Sequence, residues 1–89
     1  MDEHVVYMLQ CKDQSLYTGY TNNFERRLRM HEEGKGAKYT RGRGPFTLMY
    51  YEVFSTKEEA MQAEYRIKRL TRSGKEELIA SYKERMESI

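Results

Sequence analysis

The chain has 89 residues, 38% of them apolar, a formal charge of +2 and one cysteine. That length suits a single domain over residues 1–89 with one modest core. Cys11 alone excludes an intramolecular disulfide framework and a cysteine-built structural zinc site. No stretch approaches membrane-spanning length, and the opening Met-Asp-Glu-His lacks the basic and long apolar regions of a signal peptide. The expectation is a soluble cytoplasmic protein with no membrane partner.

Residues 4–10, His-Val-Val-Tyr-Met-Leu-Gln, form an apolar, β-branched run of strand length. A polar turn at Lys12-Asp13-Gln14-Ser15 separates it from Leu16-Tyr17-Thr18-Gly19-Tyr20-Thr21, so the two read as a β-hairpin. Gly19 offers no side chain, which lets another group come close to the backbone there. Asn22 or Asn23 caps a helix from Phe24 to about Glu33, and Gly34 stops it. On that helix Phe24 and Leu28 make an apolar i, i+4 pair, with Arg27 and His31 as a second pair at its edge.

Residues 34–45 hold four glycines and the only proline among Lys35, Lys38, Arg41 and Arg43, which reads as a basic loop. Phe46–Phe54 is apolar over most positions and is expected to be the central strand. Ser55 with Glu58, or Thr56 with Glu59, opens a helix running to about Thr71 with an apolar stripe of Ala60, Ala63, Ile67 and Leu70. Ser73 with Glu76 opens a last helix packed through Leu78, Ile79, Tyr82 and Met86. The fold class expected is α+β, a small sheet with helices against it.

The charge is unevenly placed. Seven basic residues face three acidic ones between 24 and 43, and residues 65–75 hold five basic residues and no acid. Such blocks set up a local field for a polyanion, and they are also what a solvated surface looks like. In the loop, Lys35, Lys38, Arg41 and Arg43 suit salt-sensitive backbone contacts, and Tyr39 suits stacking on an unpaired base, with Tyr20 and Tyr50 as weaker choices. Arg66, Lys68 and Arg69 extend the nucleic-acid-binding set.

Glu64 falls inside an apolar helical stripe, where a bare carboxylate is costly. Either a nearby lysine or arginine pairs with it, or it ligates an oxygen-preferring ion such as Mg²⁺ or Mn²⁺ whose shell is completed by water and phosphate. Arg27 is either a surface arginine or a bidentate donor to phosphate oxygens. Tyr7 and Tyr17 are either half-buried sheet residues or phenols that position or deprotonate an attacking water. His31 either bonds a tyrosine at an interface, acts as a general base, or orients a tyrosine that is the base. No Walker loop, dinucleotide fingerprint, paired-cysteine motif or serine-nucleophile elbow occurs.

Taken in order, Val5-Val6-Tyr7, Tyr17-Thr18-Gly19, Thr21, Arg27, His31 and Glu64 within Ala63-Glu64-Tyr65-Arg66-Ile67-Lys68 resemble a minimal GIY-YIG domain. The likeness is to the small single-domain bacterial proteins of the UPF0213 or YhbQ-like group and spans about Val5 to Tyr82. It implies a three-stranded antiparallel sheet flanked by helices, and Mg²⁺- or Mn²⁺-dependent hydrolysis of phosphodiester bonds in DNA, single-stranded or branched. By the same resemblance Arg27 binds the scissile phosphate, Glu64 holds the metal, and Tyr7 or Tyr17 serves as base or water-positioner beside His31. The chain departs from the family pattern in having no asparagine after Asn23. Two other readings stand beside the nuclease: a non-catalytic nucleic-acid-binding module, and an accessory protein of a DNA repair assembly. Nothing in the sequence reads a 2′-hydroxyl, so RNA stays open as a partner.

Overall fold

A computed structural model describes residues 3–34 and 44–87. The elements are β1 (His4–Gln10), β2 (Leu16–Thr21), α1 (Phe24–Glu32), β3 (Thr47–Phe54), α2 (Lys57–Lys68) and α3 (Arg72–Glu87). The three strands form one antiparallel sheet in the order β2-β1-β3. This is the α+β, three-stranded architecture expected, with one correction. The central strand is β1 and not the long apolar β3. Five consecutive β1 residues, Val5 to Leu9, are buried, whereas β3 leaves Thr47, Leu48 and Val53 exposed, so β1 is the strand covered on both faces.

The hairpin between β1 and β2 closes at Cys11–Ser15, where the Cys11 N–H donates to Ser15 O at 2.9 Å and Gln14 N–H to Cys11 O at 2.9 Å. Asp13 steadies the turn by accepting from both the N–H and the hydroxyl of Ser15. The register that follows pairs Tyr7 with Gly19 and Leu9 with Tyr17.

Side chains alternate across the sheet. From one face Val6 and Met8 of β1 join Tyr50, Ala60, Ala63, Ile67 and Ile79 in the core, with Leu16, Tyr20, Phe54, Leu78 and Tyr82 packed around them. Each fully buried aliphatic side chain here is worth about 1.5–3 kcal/mol. The other face of β1, Val5, Tyr7 and Leu9, is equally buried, and Phe24 and His31 of α1 lie against Tyr7. Tyr20 and Tyr50, weaker choices for stacking on bases, are structural. Tyr20 stacks with His4 and hydrogen-bonds to its Nδ1 at 2.9 Å, while Tyr50 is 2% exposed and donates to Glu52 Oε1 at 2.6 Å.

Both capping signals upstream of α1 and α2 operate. The Asn23 side chain accepts from Arg26 N–H at 3.3 Å, and the Thr56 hydroxyl accepts from Glu59 N–H at 3.2 Å while donating to Glu59 Oε1 at 3.3 Å. Gly34, at φ +77°, ends α1 in the left-handed conformation that favours glycine. The C-terminal boundaries differ from expectation. α2 ends at Lys68, which leaves Leu70 40% exposed beyond the stripe, and Met86 projects to solvent. α3 opens two residues earlier than its Ser73 signal, because the Thr71 hydroxyl accepts from Gly74 N–H at 3.1 Å.

Candidate functional site

The site grows from the β1–β2 register and the face that α1 turns to the sheet. Tyr7 and Gly19 are cross-strand partners, and the Tyr7 ring lies over the glycine. A Cβ added at Gly19 would sit 2.7 Å from the Tyr7 hydroxyl and 2.8 Å from Tyr17 Cε2. Glycine is present because no side chain fits beneath the two phenols.

α1 supplies the remaining groups. His31 is its one buried residue, 2% exposed, so the helix faces the sheet through Phe24, Arg27 and His31 more than through the Phe24–Leu28 stripe. Its Nε2 lies 2.8 Å from the Tyr7 hydroxyl. Ring centroids separate Tyr7 from Tyr17 by 6.2 Å, Tyr7 from His31 by 5.8 Å and Tyr17 from His31 by 5.4 Å. Phe24 at 5.6 Å from Tyr7 and Phe46 at 5.9 Å from His31 wall the cluster with apolar edges.

Electrostatics follow from this packing. Burial pushes the Tyr7 phenol up to about 12, with the Arg27 guanidinium opposing and the neighbouring Tyr17 adding to the rise. The guanidinium is in turn stabilised by Tyr7 first and also by Tyr17. Burial, reinforced by the Arg27 charge, holds His31 below its ordinary value, so near neutrality the imidazole is uncharged. One ring nitrogen then accepts, and a protonated Tyr7 can donate to Nε2 when the ring proton is on Nδ1. Arg27 Nε is buried without a hydrogen-bond partner. Beside it opens a groove of about 260 Å³ lined by Thr21, Asn22, Asn23, Arg26, Arg27 and Met30.

Four of the five residues expected at the centre, Tyr7, Tyr17, Arg27 and His31, are thus one cluster. The fifth, Glu64, lies on α2, which packs on the opposite face of the sheet and also against β2. Arg66 and Leu70 line a groove with Tyr50, Glu52 and Phe54 of β3. Two residues correspond to about 200° of helical rotation, which turns Glu64 toward the β2 side. Its carboxylate is 18% exposed and pairs with Lys68 Nζ at 3.1 Å. The lysine partner weighed from the sequence is therefore real, and it sits on the flank nearest the strand that carries Tyr17. Among the described residues no three of His, Cys, Asp and Glu gather around a common point. As a donor set Glu64 offers one hard oxygen ligand, which suits Mg²⁺ or Mn²⁺ only with water and phosphate completing the shell.

Of the residues expected to contact nucleic acid, Arg66, Lys68 and Arg69 are exposed on α2 and just after it. Lys35, Lys38, Tyr39, Arg41 and Arg43 lie outside the described residues. The aromatic wall of Phe24, Phe46 and Tyr51 is absent from the sequence reading. Its one available signal was register, since Tyr51 stands opposite Tyr7 and meets Phe24 at 5.1 Å. No described helix is long and apolar enough to cross a membrane.

Comparison with known proteins agrees with the fold. The family model described as the GIY-YIG catalytic domain matches residues 3–77. The UPF0213 protein OB0043 of Oceanobacillus iheyensis is 69% identical over 80 residues, covering 89% of this chain and 93% of that one. Two solution structures share the fold. The UPF0213 protein BH0048 from Bacillus halodurans has a TM-score of 0.61 at 56% identity, covering 88% of this chain and 83% of that one. The protein EF2693 from E. faecalis has a TM-score of 0.64 at 42% identity, covering 92% and 91%. The phenol pair over Gly19, with Arg27 and His31 closing on it from α1, is thus this chain's form of a shared domain: the protein belongs to the GIY-YIG catalytic domain family, within its UPF0213 group.

Proposed function

We propose that the protein is a metal-dependent endonuclease that hydrolyses phosphodiester bonds in DNA. The observation that carries this reading is the convergence of Tyr17, Tyr7, His31 and Arg27, with the Tyr7 hydroxyl 2.8 Å from His31 Nε2. Tyr17 is half-buried and Tyr7 fully buried, so Tyr17 is the phenol an attacking water can touch. The Tyr7 ring lies 6.2 Å from that of Tyr17 and its hydroxyl 2.8 Å from His31 Nε2, an order from which we infer a proton relay. As the water oxygen bonds to phosphorus, the phosphorus–oxygen bond to the leaving strand breaks on the far side and the departing oxygen takes a proton from solvent. The water's own proton passes to the Tyr17 oxygen, the Tyr17 proton to the Tyr7 oxygen and the Tyr7 proton to His31 Nε2, and the relay returns it to solvent after the product leaves, since burial and the Arg27 charge disfavour a lasting imidazolium. Neither phenol has to persist as a phenolate, which matters for a group whose proton is held to about 12.

Arg27 binds the non-bridging phosphate oxygens and offsets the charge that builds on them. Its unpartnered Nε–H is a donor that a phosphate oxygen can satisfy once the substrate is seated. Glu64 would hold the divalent cation, which supplies Lewis-acid polarisation of the phosphate when bound. Glu64 meets the cation only after giving up Lys68.

The test is cleavage of single-stranded, branched and nicked DNA by the pure protein in Mg²⁺ or Mn²⁺. Arg27→Ala and Glu64→Ala are each expected to lower the rate at least a hundredfold. Cleavage that survives both substitutions equally removes the assignment, and matched RNA oligonucleotides in the same assay decide between DNA and RNA.

One observation favours a second reading, a nucleic-acid-binding module without catalysis: Glu64 is already engaged by Lys68, and the described residues give it no fellow ligand. That reading expects binding that weakens steeply with salt and needs no metal. Affinity indifferent to salt would rule it out.

A further inference from the structure

The exposed aromatic Tyr65 has no place in the core and no part in the chemistry above. It is 62% exposed, the most open of the large apolar and aromatic side chains described. Even so it has a partner. Arg69, one turn on, donates to its hydroxyl at 2.8 Å and places its guanidinium carbon 5.1 Å from the ring centroid. An exposed aromatic ring gives little to stability, and one whose orientation is favoured by a neighbouring guanidinium offers a flat surface at reduced entropic cost to a planar ligand.

The surroundings state the charge of that ligand. Tyr65 begins the stretch 65–75, which contains Arg66, Lys68, Arg69, Arg72 and Lys75 and no acid, although Glu64 and Glu76 just beyond its two ends pair with Lys68 and Arg72. Arg72 ties this stretch to the β1–β2 hairpin by donating to the Gln14 carbonyl at 2.8 Å, near the exposed Lys12. Tyr65 also follows Glu64 directly on the helix, about 100° round from it, with Lys68 on the same flank. An anion leaving the Glu64 position along α2 meets Lys68, then the Tyr65–Arg69 pair, then Arg72.

We propose that Tyr65, pinned by Arg69, is a base-stacking platform for unpaired DNA, and that Lys68 and Arg72, exchanging their carboxylate partners Glu64 and Glu76 for phosphate, carry the phosphates on either side of it. The proposal rests on the nuclease reading for its substrate class and narrows it. A base inside a duplex has both faces covered and cannot lie on a protein ring, so the platform selects single-stranded DNA or the unpaired arm of a branched one. Because every base has a π-face, the selection is by strand state and not by sequence.

The experiment measures binding of a fluorescent oligothymidine, the matched duplex and the matched oligouridine by anisotropy, in EDTA so that no strand is cut. Tyr65→Ala is expected to weaken oligothymidine binding about tenfold and to leave duplex binding within twofold. Tyr65→Phe keeps the ring and is expected to retain most of the affinity. A 2-aminopurine placed in the single strand is expected to lose fluorescence on binding the wild-type chain and not Tyr65→Ala. A circular dichroism melt of Tyr65→Ala, expected to match wild type because the side chain is exposed, separates lost binding from lost folding. Unchanged oligothymidine affinity and quenching in Tyr65→Ala would overturn the platform, as would an equal loss for duplex. Tighter binding of oligouridine than of oligothymidine would overturn the assignment to DNA. None of these outcomes bears on Arg27→Ala and Glu64→Ala cleavage, so the platform and the nuclease reading fail separately.

Discussion

Replacing Gly19 with alanine tests the way the two phenols are held. The new methyl would lie 2.7 Å from the Tyr7 hydroxyl oxygen, 2.8 Å from Tyr7 Cζ and 2.8 Å from Tyr17 Cε2. Ordinary carbon contacts begin near 3.5 Å, so the rings have to retreat by about 0.8 Å. Tyr7 has nowhere to go cheaply, being fully buried between Phe24 and His31. A displacement of that size strains or breaks its 2.8 Å bond to His31. Overpacking costs about 1–3 kcal/mol, and a buried hydroxyl that loses its partner costs a similar amount. Alanine's advantage over glycine in a strand returns about 0.5–1 kcal/mol. The net expectation is a loss of about 2–4 kcal/mol, from a total that for a chain of this length is roughly 4–13 kcal/mol. Thermal unfolding followed by circular dichroism should show Tm lowered by about 10–25 °C. In a Tyr7→Ala background most of that penalty should vanish, because the main clash is gone. A Gly19→Ala protein melting within about 2 °C of wild type would refute the reasoning, since the close approach over the glycine would then have no energetic content.

Two further outcomes follow from the site's electrostatics. His31 has its folded-state value lowered by burial and Arg27, so the unfolded chain binds the proton first. Stability is therefore fully present above the ordinary histidine range near 6.5 and declines as pH falls through it. Denaturant midpoints between pH 7.5 and 5 should show this slope in the wild type and a flatter one in His31→Phe, and equal slopes would count against a buried neutral His31. Lys68→Met should remove the cation now resting on Glu64 and tighten Mn²⁺ binding, read by electron paramagnetic resonance of free ion, by roughly three- to tenfold. Stability should change by only a few tenths of a kcal/mol, as for other partly exposed i, i+4 pairs. Unchanged Mn²⁺ affinity would argue that Glu64 is not where the ion sits.

What could be read from the sequence was local or ordinal. Asn23 and the Thr56–Glu59 pair announce their helices because a cap is chemistry within three residues. Tyr7, Tyr17, Arg27 and His31 could be grouped because a hairpin followed by a helix leaves few ways to arrange them. Strand order was not accessible, since an apolar run reports burial and not which neighbours provide it. β3 therefore read as central when β1 is. The extent of His31 burial also escaped, because it depends on Tyr7, Tyr17 and Phe46 converging on the ring from separate parts of the chain. Leu70 and Met86 look like packing residues by periodicity, yet they fall where α2 has ended or α3 has run past the sheet.

The alternation of β1 divides the work of one seven-residue segment by parity. Even positions, Val6 and Met8, serve the hydrophobic core with α2 and α3, and odd positions, Val5, Tyr7 and Leu9, line the side on which the phenols meet α1. Slipping the strand by a single residue would deliver a tyrosine to the core and valine and methionine to the face where the phenols meet α1, so packing and the proposed chemistry are read from the same backbone in opposite phase. A saturation survey of β1 should accordingly give two interleaved profiles, with abundance most sensitive at even positions and activity per folded molecule most sensitive at Tyr7.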